Sequence, residues 1–166
     1  IMQDHTQIRK QIQSQKEDSL EPVVEVCGDS ERLDLEVLTH YFESLPRDSS
    51  ILLLGRFQVD QFRLLHCTKF NLTSNGVEFR PRSDLRIRFL TVHQSKGLEA
   101  DHIILLNNRE AKLGFPAHVK DPLLKAELVK IAEELGLDQA SVNEERRLFY
   151  VALTRAKKQV ILLTVD

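Results

Sequence analysis

A chain of 166 residues fits one domain, long enough to bury a core without a disulfide framework or a structural metal. Hydrophobic residues at 42% and charged residues at 29% exclude wholesale disorder and fibrous repeats, and no apolar run approaches the roughly 20 residues of a membrane-spanning helix. The formal charge of −2 excludes a uniformly basic nucleic-acid coat but not a local basic groove.

Residues 1–20 are rich in Gln, Lys and Asp and read as a lead-in that adds little to the core, leaving 21–166 as the folded domain. The opening Ile1-Met2 is expected of a segment of a longer polypeptide, and without a signal-peptide profile the expected location is the cytoplasm. Cys27 and Cys67 form no CxxC pair and read as packing residues of a reduced domain. Val23 to Cys27 is β-rich and ends at Gly28, after which Asp29 or Ser30 can cap a helix. That helix carries Leu35, Leu38, Phe42 and Leu45 on one face and stops at Pro46. Ser50 to Gly55 is an unbroken apolar run of the kind a strand needs when helices cover both its faces.

Gln58 to Phe70 reads as a helix through Phe62, Leu64 and Leu65, and Asn75-Gly76 as a tight turn before Val77-Glu78-Phe79. Leu85 to Val92 is a strand that alternates Arg86 and Arg88 with apolar residues before delivering the polar loop His93 to Gly97. Asp101 to Leu106 is another buried strand, and Asn107 to Lys120 an irregular connection containing Gly114-Phe115-Pro116. Asp121-Pro122 opens a helix with Leu124, Leu128, Ile131 and Leu135 on one face and Gly136 at its end. Ser141 and Glu144 form a capping-box pattern ahead of a helix over Arg146 to Lys157, and Gln159 to Val165 closes as a strand. This alternation predicts an α/β fold: an open, mostly parallel sheet with helices on both faces and ligands at the carboxyl ends of its strands.

No G-x-x-x-x-G-K-[ST], G-x-S-x-G, H-E-x-x-H or EF-hand pattern occurs, so the chain has no phosphate-cradling P-loop, and nucleophilic and metal catalysis have no sequence support. No metal ligand set is expected. Two dense polar clusters remain, Thr91 to Glu99 and Glu144 to Ala156. In the first, hydroxyls, backbone N–H groups and an imidazole can donate to phosphate oxygens, while Glu99 can accept from a ribose hydroxyl. In the second, Arg147, Val151 and Arg155 follow at steps of four, so both guanidiniums can face one direction on a helix. An arginine presented to a neighbouring domain suits a finger on a γ-phosphate. Taken singly, a stretch such as Glu144 to Arg147 is more often a solvated helix face than a site, His93 more often a capped or surface histidine, and Lys96-Gly97 more often a turn.

Together the clusters carry more. T-V-H-Q-S-K-G-L-E-A-D followed by an apolar strand, and then E-E-R-R-L-F-Y-V-A-L-T-R-A, resemble motifs V and VI of superfamily 1A DNA helicases of the UvrD/Rep type. Gly114-Phe115-Pro116 is similar to the element that follows motif V, and Ile51 to Phe57 to motif IVa, so the resemblance covers roughly residues 50–166. It implies the second RecA-like motor domain, 2A, with Walker A and B on an N-terminal RecA-like domain of the same polypeptide. Phe57 and Thr91 are too close for the family's large 2B insertion, which looks most like the helicase IV branch.

By the same resemblance Arg155 matches the arginine that reaches the γ-phosphate, and Glu99 the acid at the nucleotide sugar. Gly97 lets the backbone approach, and Arg147 supports the cleft. Thr91 and His93, with Arg56 of the motif IVa stretch, match positions near single-stranded DNA. The implied cofactor is ATP with Mg2+, held mainly by the N-terminal domain, so the fragment by itself is expected to be inactive. The family's motif IV arginine has no counterpart in Ile1 to Lys16. Two alternatives stay open: a helicase-like ATPase that remodels RNA polymerase or another protein complex, and a non-enzymatic nucleic-acid-binding module. The second is disfavoured because Glu99 and Arg155 are both present.

Overall fold

The computed structural model describes residues 23–26, 31–74, 76–108, 115 and 138–164. The expected lead-in over 1–20, the capping position at 29 or 30, and the helix expected over 121–136 lie outside the described residues. In chain order the elements are β1 (Val23–Val26), α1 (Glu31–Ser44), β2 (Ser50–Gly55), a 3-10 helix (Gln58–His66), β3 (Phe70–Thr73), β4 (Gly76–Phe79), β5 (Arg86–Thr91), β6 (Ala100–Asn108), α2 (Asp138–Leu153) and β7 (Ala156–Thr164).

The strands form one seven-stranded sheet in the order β1-β7-β6-β2-β5-β4-β3. β1, β7, β6, β2 and β5 run parallel, and the β3–β4 hairpin continues the sheet antiparallel. β2 and β6 are buried almost throughout because helices cover both their faces, which is why their sequences lack polar punctuation. On one face α1 brings Leu35, Leu38 and Phe42, followed by Leu45 just past its end, all buried, against Ile51, Leu53, Ile104 and the hairpin residues Phe70, Val77 and Phe79. On the other, Leu148 and Ala152 of α2, together with Phe115, pack on Leu52, Leu54, Ile103 and Leu105. The predicted open α/β sheet with helices on both faces is therefore the observed one.

The hairpin turn comes where Asn75-Gly76 placed it. Gly76 has φ 140°, and a Cβ there would sit 2.6 Å from the carbonyl oxygen of Ile87, so only glycine fits. β3 departs from expectation, since Phe70 opens a strand instead of ending the preceding helix. That helix is 3-10, ends at His66, and buries Leu64 while Phe62 and Leu65 stay half exposed. At three residues per turn Val59, Phe62 and Leu65 fall in line on the outer side, so a 3.6-residue reading misassigns them.

α2 also departs from expectation at both ends. It starts at Asp138, so Ser141 and Glu144 lie inside it rather than at its cap, and it stops at Leu153 rather than Lys157. The stop is chemical. Thr154 Oγ1 donates to the carbonyls of Tyr150 (3.0 Å) and Val151 (3.1 Å), and the Arg155 N–H donates to Ala152 (3.2 Å). These bonds satisfy the last turn and release Ala156 into β7.

Beneath α1, His102 of β6 is buried with its Nδ1 2.7 Å from the Tyr41 hydroxyl, which in turn donates to Gln159 Oε1 at 2.9 Å. Tyr41 gives its hydrogen to Gln159, so this network assigns the proton to His102 Nδ1. Nε2 is left as a buried acceptor without a hydrogen-bond partner. Burial lowers the His102 pKa, with the Asp101 carboxylate opposing and the Lys158 ammonium adding to the effect; burial also pushes Tyr41 up to about 12. Because the folded pKa of His102 lies below the unfolded value near 6.5, the unfolded chain takes the proton first. Stability is therefore full above that value and falls as pH drops through it. Thermal unfolding from pH 7.5 to 5 is expected to show a steeper acid loss in the wild type than in His102→Leu; parallel curves would contradict this.

Candidate functional site

The two polar clusters fold into connections that cross the sheet side by side. Residues 92–99 leave the carboxyl end of β5 and arrive at the amino end of β6; α2 starts beside the carboxyl edge and ends beside the amino edge. Thr91 pairs with Gly55, while Leu54 pairs with Leu105 and Ala100 with Ala156. Thr91 thus stands about six residue steps, roughly 20 Å, above the level of Ala100 and Arg155. The sequence led to the expectation of all ligands at strand carboxyl ends. The structure separates the candidates instead: Thr91, His93 and Arg56 at the carboxyl edge, Gly97, Glu99 and Arg155 at the amino edge. The reason is that a parallel crossover must return to where the next strand begins.

At the carboxyl edge the loop after β5 is held by its own polar groups. Ser95, fully buried, donates through Oγ to the Val92 carbonyl (2.7 Å), and its N–H donates to the carbonyls of Thr91 and Val92. Gln94 Oε1 accepts from the Thr91 N–H (3.0 Å) and from Gln58 Nε2 (3.0 Å), tying the loop to the start of the 3-10 helix. His93 stays half exposed, its Nε2 3.8 Å from Glu144 Oε1. Arg56 is engaged elsewhere: its guanidinium forks onto Glu145 of α2, with Nε at 2.9 Å and NH2 at 2.8 Å from Oε1, and it lies over Phe57. Behind them Asp60 accepts from the Phe57 N–H (2.9 Å) and from Asn107 Nδ2 (3.4 Å); burial raises its pKa against those bonds and the nearby Arg63.

At the amino edge the Arg155 carbonyl accepts from the Ala100 N–H (3.1 Å), fixing the Thr154-Arg155 turn next to Leu98 and Glu99. The Arg155 guanidinium folds back over the end of α2: Nε donates to the Val151 carbonyl (3.1 Å), NH2 to Thr154 Oγ1 (3.1 Å), and NH1 reaches the Leu98 carbonyl at 3.5 Å. Each terminal nitrogen keeps a further N–H for a ligand. Gly97 has φ 80°, and nothing lies within 4 Å of where a Cβ would be, so it is required for its backbone conformation rather than for space. Glu99 is well exposed, with Lys157 nearby at 3.9 Å. One strand in, Asp101 accepts from the Ser50 hydroxyl (2.7 Å) and N–H (3.0 Å) and pairs with Lys158, which together hold its carboxyl far below the usual range.

Arg147 is exposed on α2, two turns before Arg155. The expected alignment of the two guanidiniums on one helix is not found, because the helix ends before Arg155. Sequence reasoning missed the partnership of Arg56 with Glu145 and the bridging amides of Gln58 and Gln94. The doubled acid Glu144-Glu145 ahead of two arginines is its only trace, and such a stretch is more often a solvated face. Among the described residues there is no cluster of three or more His, Cys, Asp or Glu placed to hold a metal. No described helix is long and apolar enough to cross a membrane.

The chain is thus an α/β domain without its own P-loop, with Arg155 and Glu99 together on one exposed edge of the sheet. The comparisons specify it: residues 2–166 match the UvrD-like helicase C-terminal domain, and the chain belongs to that family. It is similar to DNA helicase IV of Escherichia coli, 41% identical over 76 residues that cover 46% of this chain and 10% of that protein. It is similar to an ATP-dependent helicase/nuclease protein of Staphylococcus haemolyticus, 36% identical over 106 residues, 51% of this chain and 8% of the relative. A probable DNA helicase II homolog of Mycoplasma pneumoniae is 35% identical over 88 residues, 53% of this chain and 10% of the relative. The chain therefore spans about a tenth of the length of these curated relatives.

Proposed function

We propose that this chain is the C-terminal motor domain, 2A, of an ATP-dependent DNA helicase, forming a cytoplasmic motor with an N-terminal RecA-like domain of the same polypeptide. The observation that carries the reading is the pairing of Arg155 with the Leu98-Glu99 turn on the amino edge, joined by two connections to Thr91 and His93 on the opposite edge. ATP with Mg2+, held mainly by the N-terminal domain, supplies the phosphoanhydride whose hydrolysis drives the cycle. The residues of this chain fit such a nucleotide: Arg155 offers further N–H donors to a γ-phosphate, Glu99 an exposed carboxylate to ribose hydroxyls, and Gly97 an open backbone approach. Arg147, two turns earlier on α2, is left to a supporting role away from this edge.

A nucleotide bound across the interface favours the closed arrangement only through contacts it makes there and not in the open one, and the Arg155 to γ-phosphate contact is of that kind. Its loss on hydrolysis lets the domains part, and the Thr91–His93 edge carries single-stranded DNA with it. The interval from Phe57 to Thr91 is filled by the 3-10 helix and the β3–β4 hairpin, which supports a compact form without a 2B insertion, of the helicase IV type. None of the three relatives above is named for RNA polymerase, so the remodelling alternative gains no support.

The reading is tested on the full-length polypeptide by ATP hydrolysis with and without single-stranded DNA and by strand displacement; no DNA-stimulated turnover would remove it. For His93→Ala the expected result is weaker single-strand binding, with a slope of log K against log salt shallower by about 0.7 for each phosphate the variant no longer neutralises. Unchanged binding takes His93 off the track.

A further inference from the structure

We propose that Arg56 and Glu145 are positioning residues of this motor, a clamp that fixes α2 across the sheet so that the two edges move as one body. The proposal rests on the motor reading above and gives Arg56 a role other than the DNA contact expected from sequence. Both side chains are largely withdrawn from water, 16% exposed for Arg56 and 8% for Glu145. The guanidinium meets both carboxylate oxygens, with Nε at 2.9 and 3.2 Å and NH2 at 2.8 Å, while its central carbon lies 5.1 Å from the centre of the Phe57 ring. A planar fork over a ring and bound at two oxygens has a narrow range of orientations; a lysine in its place would have many.

The position of the clamp gives it leverage. Arg56 directly follows β2, which lies between β6 and β5 in the sheet. Glu145 sits in the first half of α2, and Arg155 lies ten positions beyond it, about 15 Å further along the helix direction. Leu148 and Ala152, with the partly buried Phe149 and Val151, pack on the sheet through contacts that carry no direction. The Arg56–Glu145 fork is directional. Next to it, Glu144 faces His93 at the exposed surface, so the segment that holds the clamp also borders the proposed DNA edge. With the clamp made, a displacement at Thr91–His93 is delivered to Arg155 through a rigid strut. With it broken, the first half of α2 loses its directional tie to β2, and a displacement at Thr91–His93 reaches Arg155 less completely.

The test uses the full-length polypeptide and compares wild type, Glu145→Gln, Arg56→Lys, Arg56→Glu, Glu145→Arg and the charge-exchanged double variant. The readouts are kcat and KM for ATP at saturating single-stranded DNA, DNA affinity at two salt concentrations, and thermal unfolding. Glu145→Gln is expected to lower DNA-stimulated kcat at least tenfold, with KM for ATP and DNA affinity held within twofold. Arg56→Lys, which keeps the charge and one N–H bond, falls between it and wild type; the double exchange regains turnover that each of its single reversals lacks. Should Glu145→Gln fail to fold, Arg56→Lys carries the comparison. Wild-type kcat in a folded Glu145→Gln or Arg56→Lys protein overturns the clamp. So does a tenfold loss of DNA affinity with a shallower salt slope in Arg56→Glu that Glu145→Gln does not share, which makes Arg56 a phosphate ligand. Absence of DNA-stimulated turnover in the wild type instead overturns the motor reading, and the clamp's role falls with it.

Discussion

Replacing Arg155 with alanine is expected to lower ATP turnover by the full-length polypeptide by at least about a hundredfold. An arginine placed on a transferring γ-phosphate contributes roughly 10³ to 10⁵ in rate, about 4–7 kcal/mol of transition-state stabilisation. Folding should be nearly untouched, because Arg155 lies in a turn at the edge of the sheet and its contacts are to the carbonyls of Val151 and Leu98 and the hydroxyl of Thr154. Those groups are near the surface and water can replace the guanidinium. Its favourable position at the carbonyl end of α2 contributes no more than about 1 kcal/mol. Arg155→Lys retains the charge but not the fork, and should recover only part of the rate. The measurement is steady-state hydrolysis alongside a thermal melt. An alanine variant with wild-type turnover and an unchanged melt removes the finger assignment.

Phe42→Ala should have the largest effect on stability. Phe42 is fully buried where α1 meets the sheet, with edge-on contacts to Phe70 at 5.8 Å and Phe79 at 5.4 Å between ring centres. It therefore joins the helix to the antiparallel hairpin as well as to the parallel strands. Removing the ring forfeits its transfer free energy and leaves a cavity that three elements would have to collapse together. A loss of about 3–5 kcal/mol is expected, lowering the melting temperature by roughly 6–20 °C. The neighbouring Glu36→Ala, on the exposed side of the same helix, is the comparison and should change it little. A drop of under about 1 kcal/mol for Phe42→Ala would mean that α1 is not fastened to the hairpin as described.

The elements legible in advance were those with one dominant physical signal. The unbroken run Ile51–Leu54 is of the kind a strand covered on both faces needs, and the 3-4-3 spacing of Leu35, Leu38, Phe42 and Leu45 places them on one side of a helix. Elements governed by local polar chemistry were less legible. α2 stops at Leu153 because the Thr154 hydroxyl and the Arg155 backbone take its last carbonyls, and no periodicity announces that. The 3-10 segment obeys a three-residue period that leaves Phe62 and Leu65 outside. For the site, the motifs named the residues while topology decided their places. Glu99 and Arg155 sit on the amino edge because each directly precedes a parallel strand, a consequence of strand direction that a list of side chains does not contain. Arg56 shows the same limit: the resemblance placed it near DNA, and its pairing with Glu145 is not visible in the sequence.

The connection between β5 and β6 has a further consequence. It spans the sheet with turns in place of the usual crossover helix, and its backbone is tied by a handful of bonds through the amides of Ser95 and Leu98. Such a segment opens at a lower free energy than the strands it joins, so amide exchange at Lys96 and Gly97 should proceed without global unfolding. Beside the stiff rod of α2 the domain thus has a compliant second linkage between the two edges of its sheet.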